Sequence, residues 1–157
     1  MASELSSELL AQCLVRTLEE AAFVFAEPTG DPPPFEGEVI EARVTYSGGH
    51  SGELLLASPH GLAATLAANL LGEDEGGASV TGDDFDALGE LLNMVVGSLV
   101  LELFGPEAGC KLGLPRVKRV SAQEYGRELG KAHAVATLVE EEGRRIDLSA
   151  FITAGAP

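Results

Sequence analysis

The chain has 157 residues, about the size at which one domain builds one hydrophobic core. Hydrophobic side chains make up 45% of it, enough to fill such a core and too many for wholesale disorder. Ten Lys and Arg stand against 25 Asp and Glu, a formal net charge of −15, which argues against a nucleic-acid partner or an anionic membrane surface. The charge is uneven: residues 1–109 hold two arginines against 19 acids, whereas residues 110–157 hold eight basic and six acidic residues. Cys13 and Cys110 lie far apart with no Cys/His cluster, so neither a disulfide framework nor a zinc site is expected, and a reducing cytosol fits. Met1 to Leu9 contains Glu4 and Glu8 and no basic residue, unlike a secretory leader. No apolar stretch is expected to reach the ~18–20 residues of a membrane span, which points to a cytoplasmic protein.

In chain order, Leu9, Cys13, Leu14, Leu18, Ala21 and Phe25 recur at helical spacing and predict an amphipathic helix within Ser3 to Phe25. It must end before Pro28, and Glu27 to Pro34 reads as a linker that no helix or central strand tolerates. From Phe35 to Tyr46, Ile40, Ala42, Val44 and Tyr46 alternate with Val39, Glu41, Arg43 and Thr45, a half-buried strand with one mostly polar face. Ser47 to His50 supplies a turn and Gly52 to Ala57 the returning strand. Ser58 as cap and Pro59 as first residue open a second helix through Leu62, Leu66 and Leu70, which stops at Gly72. After the acidic loop Glu73 to Gly77, Thr81 and Asp84 form a capping-box-like start to a third helix, reaching about Phe104 before Gly105-Pro106. The last third reads as extended: Lys111 to Val120, interrupted by Pro115, as an edge strand or two pieces, then Ala132 to Val139, a turn at Glu141 to Gly143, and Arg145 to Ile152. Hairpin-joined strands with segregated helices predict an α+β fold, an antiparallel sheet packed against long helices in one domain spanning residues 1–157.

The third helix carries the chemistry. At 100° per residue Leu88, Leu92, Val95 and Leu99 make a core face, and on nearly the opposite side Asp86, Glu90, Asn93 and Gly97 fall within a sector of roughly 60°. The stripe presents two carboxylates, an amide and a bare backbone patch. Asn69 and Asn93 are the chain's two asparagines. A mid-helix Asn with a Gly one turn later costs about 1–1.5 kcal/mol relative to two alanines, so a merely solvated face would be cheaper with other residues. A chance polar face, or a glycine serving helix–helix packing, is the alternative explanation.

Asp86-x-x-x-Glu90-x-x-Asn93-x-x-x-Gly97, in the setting DALGELLNMVVGSL, resembles the signature helix of the CheX/CheC chemotaxis phosphatases, whose fold is shared with the flagellar switch protein FliM. The resemblance extends to the opening helix, the hairpin, the Ser58-Pro59 helix closing at Leu70-Leu71-Gly72, and the Leu114-Pro115-x-Val117 segment. It implies hydrolysis of the aspartyl phosphate on a CheY-type response-regulator receiver domain. Asn93 would orient the attacking water and Glu90 would pair with the receiver's active-site lysine. Gly97 would be where the partner approaches the helix backbone closely, and Asp86 would either add to docking or be a solvated acid near the helix N-terminus. Any Mg²⁺ would be carried by the phosphorylated partner, with no cofactor on this chain. In the helix where two-site relatives carry a second motif, Asn69 is preceded three residues earlier by Leu66 rather than Glu, which points to the single-site CheX type. Such proteins are similar to homodimers that extend their sheets across the interface. The alternative function is a non-catalytic docking module that binds a receiver or a flagellar switch protein.

His50, His60 and His133 read as surface histidines, and the Glu73 to Gly77 loop lacks the alternating ligands of a calcium site. Gly48 to Gly52 lacks the lysine and following helix of a phosphate loop.

Overall fold

The structure is a computed structural model that describes residues 5–48, 51–72, 82–106 and 109–152. In chain order it forms α1 (Ser7–Ala22), β1 (Ala26–Pro28), β2 (Glu38–Ser47), β3 (Gly52–Pro59), α2 (His60–Leu71) and α3 (Gly82–Phe104). Then follow β4 (Lys111–Leu112), β5 (Arg116–Ser121), α4 (Ala122–Leu129), β6 (Ala134–Glu140) and β7 (Arg145–Ile152). The Ser47 to His50 turn in part, the Glu73 to Gly77 loop and the Thr81 cap lie outside the described residues.

The strands make one antiparallel sheet in the order β1-β6-β7-β3-β2, with β4 and β5 sharing the outer edge of β2. This is the expected α+β architecture. Helices α1, α2 and α3 cover one face. Ile40, Ala42, Val44 and Tyr46 of β2, Leu54 and Leu56 of β3, and Ile146, Leu148 and Ala150 of β7 meet the leucines of the three helices in one core. Leu10, Leu14, Leu18, Leu62, Leu66, Leu91, Leu92 and Leu99 are fully buried there. At about 2–3 kcal/mol for each buried leucine, this cluster is the main favourable contribution to folding.

Several elements differ from the sequence expectation. The first helix is shorter than its apolar pattern, because Ser6 caps it by accepting from the Leu9 N–H at 3.1 Å and Phe23 leaves it at φ 55°. The segment read as a linker contains β1, a three-residue edge strand paired with β6, where Pro28 loses nothing by lacking an N–H on the open side. Ser58 is the buried penultimate residue of β3 rather than a cap; Pro59 takes the cap position without a side-chain hydrogen bond. The supposedly polar face of β2 is partly covered, because α4, which the apolar pattern did not predict, packs on it. Val39, Leu55, Ala57 and Val120 form a second, smaller core with Tyr125 of α4.

Pro115 divides β4 from β5, and both pieces pair with β2. Helix α3 also corrects the membrane arithmetic: its 23 residues, at a mean hydropathy of 1.7 over the most apolar window, are long and apolar enough to cross a bilayer. Here it is a core helix, with Leu88, Leu91, Leu92, Val95, Val96 and Leu99 buried against the chain's own sheet and helices. Gly105, at φ 82°, ends it in a left-handed conformation that costs glycine little, and its N–H reaches Leu101 O at 2.9 Å.

Candidate functional site

The site is one side of α3. The core face falls as its spacing predicts, with Leu88 2% exposed and Leu92, Val95 and Leu99 fully buried. That anchoring fixes the helix's rotation and turns the opposite stripe outward: Asp86, Glu90 and Gly97 are exposed and Asn93 is half-buried. The structure therefore brings all four predicted residues onto one outward stripe. At 1.5 Å of rise per residue it runs ~16 Å from Asp86 to Gly97, with Glu90 and Asn93 ~4.5 Å apart along the axis.

Asn93 is the unusual member. Its Oδ1 is buried and has no hydrogen-bond partner. An unpaired buried acceptor costs about 1–3 kcal/mol, added to the poor helix propensity of Asn, so its position is not explained by stability. Asp86 and Glu90 make no hydrogen bond or ion pair among the described residues, which leaves both carboxylates available to a cation brought from outside.

The two glycines of the stripe region have opposite surroundings. A Cβ on Gly89 would lie 3.0 Å from Pro115 Cγ and 3.1 Å from Pro115 Cβ, so Gly89 is where the β4–β5 connection packs on the helix. A Cβ on Gly97 would meet nothing within 4 Å. Gly97 therefore does not serve packing within this chain, and the packing at Gly89 is against the β4–β5 connection rather than another helix.

Apolar side chains flank the stripe. Met94 and Leu101, at neighbouring angles on α3, are 44% and 54% exposed, and Leu114, beside the Pro115 that touches Gly89, is 89% exposed. The sequence reading did not single these out, although Met94 and Leu101 both stand away from the apolar face of the wheel. At the N-terminal end, Arg119 of β5 lies over the Phe85 ring at 4.9 Å and pairs with Glu38 at 3.2 Å. The stripe is a convex surface; cavities of 720 and 310 Å³ lie elsewhere, along α1 and β6 and between α4 and the β2–β5 strands. Such a surface fits a macromolecular partner better than an enclosed small substrate.

Asn69 has a different position. Its Nδ2 donates to Ala22 O at 2.7 Å, tying α2 to the end of α1, and Leu66 one turn before it is fully buried. The second helix thus spends its asparagine on the fold.

The sequence model of the family described as chemotaxis phosphatase CheX matches residues 40–138, a span that contains the whole of α3. The chain belongs to the chemotaxis phosphatase CheX family. Among solved structures, chemotaxis protein CheX from Vibrio vulnificus is 16% identical at a TM-score of 0.70, covering 96% of this chain and 100% of that one. The CheX-CheY-BeF3-Mg+2 complex from Borrelia burgdorferi matches at 13% identity and a TM-score of 0.65, covering 92% of this chain and 96% of that one. The FliM-SpeE complex from H. pylori matches at 11% identity and a TM-score of 0.53, covering 95% of this chain and 90% of that one. At these identities the likeness establishes the fold. No curated protein sequence matches the chain.

Proposed function

We propose that this cytoplasmic CheX-family chain hydrolyses the aspartyl phosphate of a CheY-type receiver domain, using Asn93 and Glu90 of α3. The observation that carries this reading is the Asn93 amide: half-buried, with an unpartnered Oδ1, one turn from the unpaired Glu90 on an unobstructed helix surface. An amide offers two donors and an acceptor and does not titrate, so it can hold a water in a fixed orientation at any ordinary pH. Rotation about its last torsion, which is broad, turns Oδ1 toward that water.

The water oxygen forms the new bond to phosphorus as the bond to the receiver's aspartyl oxygen breaks. Inorganic phosphate leaves and the carboxylate is restored. The acyl phosphate is already activated, so positioning accounts for most of the catalysis and no strong base is needed. Glu90 takes the receiver's lysine, fixing the docking geometry. Asp86 adds a second acidic contact. Gly97 lets the partner's backbone approach α3, while Met94, Leu101 and Leu114 supply apolar contact on either side. Mg²⁺, in this reading, travels with the phosphorylated receiver, and the chain works as a homodimer, which sedimentation equilibrium checks.

A non-catalytic docking module is the second reading, supported by the same exposed apolar flanks, which would serve adhesion alone. Decay of a ³²P-labelled CheY-type receiver separates the two. Acceleration by the wild-type chain that falls at least 100-fold with Asn93→Ala, and substantially with Glu90→Ala, is the expected result. Binding without acceleration would leave only the docking module, and acceleration untouched by Asn93→Ala would move the site elsewhere.

A further inference from the structure

The 310 Å³ cavity on the opposite side of the sheet is built from charges of both signs. Its floor is formed by Glu41 and Arg43 of β2 and Arg116 and Lys118 of β5, and its wall by Glu124 and Glu128 of α4. Register places Glu41 opposite Lys118 and Arg43 opposite Arg116. The lining therefore carries three carboxylates and three cations.

Part of that charge is neutralised internally. Arg43 bridges Glu53 at 2.7 Å, Glu41 at 3.3 Å and Glu128 at 3.4 Å, and Arg116 reaches Glu53 at 3.7 Å. What is left over is also of both signs. Glu41 is only 2% exposed, yet its Oε2 has no hydrogen-bond partner, and neither has the buried Arg43 Nε. Lys118 and Glu124 make no ion pair among the described residues. Buried charged atoms are ordinarily satisfied, and here an acceptor and a donor are orphaned beside the same cavity.

A purely anionic ligand would leave the Glu41 acceptor unmet and face Glu124. A purely cationic one would leave Arg43 and Lys118 unmet. We infer that the cavity between α4 and the β2–β5 strands binds a small zwitterion of the α-amino-acid class. Its ammonium group is received by Glu41 and Glu124 and its carboxylate by Arg43 and Lys118. An α-amino acid carries its ammonium and carboxylate on one carbon, which suits Glu41 and Arg43, whose charged ends lie 3.3 Å apart in the cavity lining. The remainder of the lining is neutral in sum, which favours an amino acid with an uncharged side chain. The site is independent of the phosphatase reading, since none of its residues belongs to the α3 stripe.

The test is titration of the full chain with glycine, L-alanine, L-serine and L-leucine, followed by backbone amide NMR and calorimetry. Acetate and methylammonium serve as single-charge controls. At least one of the four amino acids should shift amides of β2, β5 and α4, with both controls at least tenfold weaker. Lys118→Met, at an exposed position, should weaken binding at least tenfold without lowering the unfolding temperature, and Glu41→Gln should weaken it while leaving the amide spectrum folded. No shift from any amino acid at 10-fold molar excess and above, up to tens of millimolar, would overturn the inference. So would acetate binding as tightly as the amino acids, or undiminished binding by Lys118→Met.

Discussion

Replacing Gly97 with alanine separates what α3 does for the fold from what it does for a partner. Gly97 is in the helix interior, and a Cβ there meets nothing within 4 Å, so the substitution adds helix propensity without a clash. Glycine is about 0.8–1.0 kcal/mol worse than alanine at such positions. For a domain of this size that amounts to roughly 2–4 °C in Tm. Gly97→Ala should therefore unfold at a higher temperature than the wild type while losing at least tenfold in kcat/KM toward the phosphorylated receiver. Gly89→Ala is the counterpart. It gains the same propensity, but its Cβ falls 3.0–3.1 Å from the Pro115 ring. Overpacking costs about 1–3 kcal/mol, so the net effect should lie between neutral and about 2 kcal/mol destabilising. Differential scanning calorimetry on both variants, followed by receiver dephosphorylation at a temperature where both are folded, supplies the comparison. A Gly97→Ala chain that is stabilised and fully active would refute the idea that the partner approaches this part of the backbone. A Gly97→Ala chain less stable than Gly89→Ala would show that the outward rotation of α3 is wrong.

Other expectations concern the fold around the site. Asp147 is fully buried and held by Arg145 through two contacts of 2.9 Å and by the Tyr125 hydroxyl at 2.6 Å. Arg145→Met should cost about 3–5 kcal/mol in urea unfolding, because it leaves a buried carboxylate uncompensated; Tyr125→Phe should cost only about 1–2 kcal/mol. Burial alone would raise the Glu140 pKa, but hydrogen bonds from the Arg144 side chain and backbone and from the Glu142 N–H outweigh it and hold the carboxyl below its ordinary 4.5. Its folded value is depressed, so Glu140 stabilises above pH ~4.5 and that contribution disappears as pH falls through the lowered value. Equilibrium unfolding of Glu140→Gln and wild type should then converge as the pH drops below 4.5, and a gap that stays constant would contradict this. Ser121→Ala removes the acceptor for the Glu124 N–H at 3.0 Å, which should cost about 1 kcal/mol and raise amide exchange throughout α4.

Periodicity made some of this molecule legible and left the rest hidden. The hairpin of β2 and β3, the sheet's antiparallel sense and the outward stripe of α3 follow from apolar spacings long enough to specify a face. The stripe also has a chemical signature, since an Asn and a Gly in mid-helix are costly. Helix α4 has only Tyr125 buried among eight residues, so its apolar pattern could not register. Its signal was Ser121-x-x-Glu124, a cap three residues from an acid, in a segment read as extended. Glu41 and Arg43 read as a solvated strand face because nothing showed that α4 would cover them. The apolar neighbours Met94, Leu101 and Leu114 are exposed only by the rotation of α3 and the turn at Pro115, which are settled in three dimensions.

The arrangement of short strands at the sheet's margins bears on how the protein behaves when crowded. One margin is the three-residue β1, ending in Pro28; the other is divided by Pro115 into β4 and the basic β5 with Arg116, Lys118 and Arg119. Proline interrupts the ladder of donors along each margin. Any added strand therefore finds at most a few consecutive backbone groups to pair with. The long apolar β3 and β7 sit in the middle of the sheet, protected from edge-to-edge growth into aggregates. A protein whose α3 stripe lies open on its surface is in this way spared from leaving its sheet open to every other chain.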